Sequence, residues 1–275
     1  MNAEAKAENA STVMVLRQGE QGPEVYCVTR HPKLRAWGGA VAFPGGKIDE
    51  ADFDPVFEHL ATPPHPRVAA FGESPSMTRA AVVGAVRECF EEVCLLPVVG
   101  GCGHEQVERM RERWRAGESL GALLEANGLE LDLGGLVPVA RWVTPKPQPI
   151  RFDARFYLME LPVGQVGSND LVESLEGRWV CPAQILERFE RSEVDILPPT
   201  QWMLNMLSKY RTIADVFAFA ERQTLKAIYP EFSSNGSKLC LVLPGDPDHS
   251  DAVRCLEGPT SYDFHGGRFV LSLKY

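Results

Sequence analysis

Three glutamates stand within one helical turn of each other in the segment Arg87-Glu88-Cys89-Phe90-Glu91-Glu92. On a helix, Glu88, Glu91 and Glu92 fall at i, i+3 and i+4 and share one face. Carboxylates this close repel, and a helix gains nothing from them until a cation arrives. Hard divalent ions such as Mg²⁺ or Mn²⁺ take carboxylate oxygens together with water and substrate phosphate. Arg87 is spaced to pair with Glu91 at i+4 and orient it. Upstream, Gly45-Gly46-Lys47 offers two residues without a Cβ, which permits close backbone approach to a metal or a phosphate. An acidic helix face of this kind also fits a solvated charge patch. The glycine pair, and the apolar stripe of Val82, Val86 and Phe90 behind the acidic face, favour metal chemistry.

Cations for an anionic substrate come from Arg30, Lys33 and Arg35, just before a short strand that ends in Phe43-Pro44-Gly45-Gly46. Arginine suits bidentate phosphate recognition. Arg151 and Arg155 alternate onto one strand face and are further candidates for substrate contact. Phe43, Trp37, Trp142 and Trp179 are candidates for stacking on a base, against the commoner role of core packing. No Gly-x-Ser-x-Gly elbow and no phosphate-binding P-loop is present, which excludes serine-hydrolase and kinase-type chemistry.

These residues must be positioned by a mixed set of elements. Thr12–Leu16 and Glu24–Arg30 flank a turn and read as a hairpin, and Gly39–Phe43 is a third short strand. Thr78–Val93 is the clearest helix, with Ala81, Val82, Ala85, Val86, Cys89 and Phe90 on one stripe. Between them, Ala51–Met77 is rich in Pro, His and acidic residues and reads as an irregular insertion with a short helix near Val56–Leu60. Gln106–Arg115 and Ser119–Ala126 form a helical pair closed by Asn127-Gly128. Strands return at Leu136–Val143, Phe152–Leu161 and Arg178–Val180. Helices are expected at Ala183–Arg191, Gln201–Lys209 and Ile213–Arg222, then strands at Lys238–Leu243 and Arg268–Leu273. The order predicts an α/β (α+β) fold.

The spacing resembles the box of the nudix hydrolase family: Gly, five residues, Glu, seven residues, Arg-Glu, an apolar residue, any residue, Glu-Glu. Gly46 opens it and Arg87 to Leu95 close it. Gly46 and Arg87 lie 41 residues apart where the box has 14, so 27 residues are inserted. The box's first Glu has no clean counterpart, because counting forward from Gly46 gives Asp52 and counting back from Arg87 gives Arg79. Cys94 stands where the box has its closing Gly. A long insertion at this point resembles a coenzyme A diphosphatase branch of the family. That likeness extends to Phe43–Gly46, Arg151–Phe156, Leu197–Gln201 and Leu243–Asp246. Arg35, Gly39 and Phe43–Gly46 also match part of a coenzyme A pattern found in other nudix enzymes.

The resemblance implies a nudix α/β/α sandwich with a mixed sheet. It implies metal ligation by Glu88, Glu92, Glu91 and the Gly46 carbonyl, catalysis by Glu88, Arg87 and Glu91, and substrate contact through Arg30, Arg35, Phe43, Gly45 and Arg155. Glu173 or Glu176 is a candidate for an extra base or metal ligand. The implied reaction is Mg²⁺- or Mn²⁺-dependent cleavage of the diphosphate of coenzyme A or acyl-coenzyme A. ADP-ribose or another nucleoside diphosphate derivative is the alternative substrate, and a catalytically silent binding module is the alternative class. The expected organisation is a disordered stretch over residues 1–10 and a nudix domain over 11–222, with insertions at 51–77 and 103–128. A strand-rich extension over 223–275 is expected to pack on the same domain.

The 275 residues carry 28 Lys and Arg against 37 Asp and Glu, a formal net charge of −9. That balance argues against nucleic-acid or anionic-membrane partners. The seven cysteines are odd in number, scattered and never spaced as CxxC, which fits reduced thiols. An acidic, Ala-rich start and an end that is not Ser-Lys-Leu lead to the expectation of a cytoplasmic protein, a monomer or homodimer acting on a small molecule.

Overall fold

The structure, a computed structural model, describes residues 5–33, 37–168, 174–235 and 238–272. The chain opens with a hairpin of β1 (Glu8–Gly19) and β2 (Gly22–Arg30), followed by the short strands β3 (Ala40–Ala42) and β4 (Gly45–Lys47). After the box helix α1 (Pro75–Val93) come α2 (His104–Arg115), α3 (Leu120–Asn127), β5 (Val137–Val143), β6 (Phe152–Glu160) and β7 (Ser174–Val180). Then follow α4 (Pro182–Glu190), β8 (Asp195–Ile196), α5 (Pro198–Leu207), α6 (Ile213–Ala220) and β9 (Ala227–Ile228). Among the described residues these strands form one nine-stranded mixed sheet, ordered β8-β3-β2-β1-β6-β5-β9, with β4 on β1 and β7 on β2.

Alternation along the central strands feeds two cores. Val13, Val15, Tyr26 and Val28 pack with α1, α2 and α3 on one face. Met14, Leu16, Val25 and Cys27 pack with α4, α5 and α6 on the other. This is the expected α/β/α sandwich, with the central strands β1 and β2 buried on both faces. The register places the site. β1 and β2 pair only from Leu16↔Val25 to Gly19↔Gly22. Beyond that point they part, and β3 pairs with β2 while β4 pairs with β1. The glycine strand therefore fills the gap between the far ends of β1 and β2, directly beside α1.

Disorder over residues 1–10 is overturned from Glu8 onward. Glu8 to Leu16 pair in parallel with Phe152 to Glu160, and Glu8 N–H donates to the Arg151 carbonyl at 2.9 Å. The backbone ladder, not side-chain alternation, holds this acidic segment, so its composition hid the strand. Within the 51–77 insertion, three short 3₁₀ turns (Glu50–Phe53, Pro55–Glu58 and Pro66–Phe71) replace the single expected helix. α1 starts earlier than expected because Ser74 caps it, accepting from Met77 N–H, with Pro75 at the first turn. It ends at Cys94 in the left-handed conformation (φ 56°, ψ 41°). A non-glycine there costs about 1 kcal/mol, and complete burial of the side chain offsets it.

The 103–128 segment is the α2–α3 pair. The C-terminal segment adds β9 to the main sheet and then forms a second, four-stranded antiparallel sheet: β10 (Glu231–Asn235), β11 (Lys238–Val242), β12 (Ser261–His265) and β13 (Arg268–Leu271). Tyr262, Leu241 and Leu243 of this extension enter the core beside α5. No helix among the described residues is long and apolar enough to cross a membrane.

Candidate active site

Val82, Val86 and Phe90 are fully buried and fix α1 against the sheet. Its acidic face is thereby presented to the glycine strand. A Cβ on Gly46 would collide with the Glu88 carboxylate, which occupies that space. One turn later, the Glu92 carboxylate accepts a hydrogen bond from Gly45 N–H at 3.1 Å, although Glu92 is only 4% exposed. Gly45 is itself pressed against Ser11 and Thr12, where a side chain has no room. Two carboxylates are thus brought to two consecutive backbone units. Gly46→Ala is expected to push the Glu88 carboxylate out of place and cut turnover by ~10²-fold. Thermal unfolding, measured in parallel, should stay near wild type.

Arg87 organises the cluster. It is nearly buried, donating from Nε to Asp52 at 2.8 Å, from one terminal nitrogen to Asp52 at 3.1 Å and to the Lys47 carbonyl at 2.8 Å, and from the other to Glu88 at 2.9 Å. Glu91 lies 3.6 Å from Arg87, the expected i+4 pair, but Asp52 is the stronger partner. Burial works against the charge on Arg87, and the Asp52 and Glu88 hydrogen bonds and charges more than offset it, so its pKa is driven upward. Asp52 also presses on Gly84, where a Cβ would stand 2.8 Å from its carboxylate. Sequence reasoning did not assign Asp52 to the site. The forward count from Gly46 had reached it, and the insertion made that count ambiguous.

No three His, Cys, Asp or Glu side chains among the described residues are gathered closely enough to enclose a metal ion. What Glu88 and Glu92 do provide is hard oxygen beside the backbone of Gly45 and Gly46. That suits Mg²⁺ or Mn²⁺ chemistry, in which one or two carboxylates share the ion with water and substrate phosphate. The donor set fits such an ion.

Other expected site residues are distributed differently. Arg155 is 1% exposed and is held by Glu73, with Nε at 3.1 Å from that carboxylate, in a cluster completed by Arg141 and Asp153. Its guanidinium is spent on fixing the chain just before α1, not on a substrate. Arg151 is likewise engaged, by the carbonyls of Thr144 and Ala5. Phe43 is 3% exposed in the core on the far face of the sheet, so it does not reach the acidic cluster. Glu176 pairs with Thr29 across strands, on the sheet face away from α1, and lies 3.3 Å from Arg178. It cannot serve Glu88 as neighbour. Glu173 and Arg35 lie outside the described residues. Trp142 is buried, and Trp179 stacks under Arg17 at 4.5 Å.

Arg30 ends β2, where its carbonyl accepts a hydrogen bond from Gly39 N–H at 3.0 Å. Its Nε is buried and finds no hydrogen-bond partner among the described residues. Burial pushes the Cys27 and Cys89 thiols upward from their ordinary range, which fits packing roles for both.

No family model matches the sequence. Among solved structures, the chain is similar to a nudix hydrolase from Alicyclobacillus acidocaldarius, at 28% identity and a TM-score of 0.67, over 78% of this chain and 97% of that one. A nudix domain of Shewanella oneidensis NrtR, complexed with ADP ribose, matches at 12% identity and a TM-score of 0.37, over 67% and 79%. A C. elegans Ap4A hydrolase binary complex matches at 9% and 0.34, over 78% and 93%. Glu88, Glu92 and Arg87 are thus gathered at the glycine strand of an α/β/α sandwich shared with the first of these, a nudix hydrolase, and that likeness supports a hydrolase acting on diphosphate bonds.

Proposed function

We propose that the protein hydrolyses the diphosphate of coenzyme A or an acyl-coenzyme A in the presence of Mg²⁺ or Mn²⁺. The products are adenosine 3′,5′-bisphosphate and the phosphopantetheine moiety. The observation that carries this substrate is Arg30. A half-buried guanidinium with an unsatisfied Nε, at the end of the strand that pairs with β3 just before the glycines in sequence, is suited to a phosphate beyond the scissile diphosphate. Coenzyme A has such a group in its 3′-phosphate, and ADP-ribose lacks it. The Arg35, Gly39 and Phe43–Gly46 pattern supports the same substrate.

Glu88 and Glu92, together with Glu91 and the Gly46 carbonyl, would hold a divalent ion, and such an ion would supply electrophilic activation of the diphosphate. Glu88 is the general base of this reading: it stands over Gly46 and receives a hydrogen bond from Arg87, which fixes its direction. Gly45 N–H fixes Glu92 in the same way. Arg87 stays cationic and steadies both Glu88 and Glu91 as charge moves through the site. Seven free cysteines support a reducing, cytoplasmic setting, and the acidic charge supports a small-molecule substrate over nucleic acid.

Arg30→Ala is expected to lower kcat/KM for coenzyme A by ~10- to 100-fold, the loss of one charged hydrogen bond. Dephospho-coenzyme A, which has no 3′-phosphate, should be cut almost as before. Equal losses on both substrates would release Arg30 from this role. Faster wild-type hydrolysis of ADP-ribose than of coenzyme A would replace the substrate.

A further inference from the structure

We infer that the hydroxyl of Ser11 is an oxygen ligand of the divalent ion. The inference rests on the metal site proposed above and adds a residue to it. Ser11 lies in β1, directly opposite Gly46 in the antiparallel register with β4. Directly paired residues point to the same face of a sheet, with Cβ positions about 5 Å apart. The Cβ position of Gly46 is where the Glu88 carboxylate sits, so the Ser11 hydroxyl borders the same space. Val13 and Val15, two and four residues on, show that this face is the one covered by α1.

Ser11 is completely buried, and its Oγ has no hydrogen-bond partner. An unsatisfied buried hydroxyl is costly, and most such groups in folded proteins are satisfied. Arg155, its parallel partner in β6, is turned to Glu73. A hard ion beside Glu88 and Glu92 would satisfy it. A neutral hydroxyl is an established Mg²⁺ ligand, as in the Ser or Thr of phosphate-binding loops. It adds an oxygen without adding to the repulsion between the glutamates.

The test titrates the full-length protein with Mn²⁺ alone, following bound ion by electron paramagnetic resonance. Ser11→Ala should weaken Mn²⁺ binding by ~10-fold, while its unfolding temperature without metal stays at or above that of wild type, because an unsatisfied hydroxyl has been removed. Ser11→Cys should exchange hard for soft preference: weaker Mn²⁺ binding, and a Cd²⁺–thiolate absorption band that wild type does not show. Glu88→Gln is titrated alongside. If Glu88→Gln weakens Mn²⁺ binding and Ser11→Ala does not, the Ser11 assignment is overturned and the site stands. If Glu88→Gln also binds like wild type, the metal site itself falls.

Discussion

Glu88→Gln and Glu92→Gln should each lower turnover of a diphosphate substrate by ~10²-fold or more in Mg²⁺, as removal of a catalytic carboxylate does. Both groups are held by the protein before any ligand arrives, Glu88 by Arg87 and Glu92 by Gly45 N–H. The neutral amide keeps nearly the same shape but loses the charge that an ion requires. Glu91→Gln should cost less, because Glu91 is the more exposed of the Arg87 partners and stands at 3.6 Å. Steady-state kinetics with product identification measures all three. A Glu88/Glu92 double variant that hydrolyses at the wild-type rate would remove both residues from the chemistry.

The second large effect is expected on stability. Asp52→Ala should destabilise the fold by about 3–5 kcal/mol, the cost of stranding one member of a buried ion pair. Asp52 is 1% exposed and takes two hydrogen bonds from Arg87, whose side chain is 9% exposed. Glu88 and the Lys47 carbonyl remain as partners for Arg87, so the loss should sit towards the lower end of that range. Urea unfolding gives the number, and an unchanged midpoint would show that Arg87 is satisfied without Asp52. Activity should fall as well, since Arg87 directs Glu88.

Helix α1 was legible because its apolar stripe and its acidic face obey one period, and the stripe leaves the carboxylates only one direction. The glycine pair was legible for the same reason that it is needed: both positions are pressed by neighbouring groups. Asp52 and Glu73 were not legible. Each lies inside a Pro-rich segment without periodicity, and each finds its arginine across a long sequence separation. Arg155 was misread for a related reason. An arginine on a strand face suggests a ligand until its buried carboxylate is known. Phe43 adjoins the glycines in sequence, but strand alternation turns it to the opposite face. The strand at Glu8 was hidden because parallel pairing with β6 makes little demand on side-chain type.

The segment that separates the two halves of the box is anchored along its length. Leu131 pairs with Ala61 and accepts from Thr62 N–H, and His65 lies 3.1 Å from Glu221. Arg67 donates to the carbonyls of Ala220 and Gln223, and Glu73 grips Arg155. The first half of the box is held by β1, the second by the core beneath α1, and Asp52 clasps them together. Spatial order in this motif therefore does not depend on an unbroken backbone between Gly46 and Arg87. A single proteolytic nick near Pro63-Pro64 should leave two fragments that stay associated and keep working, much as a hinge pin holds two leaves that share no metal.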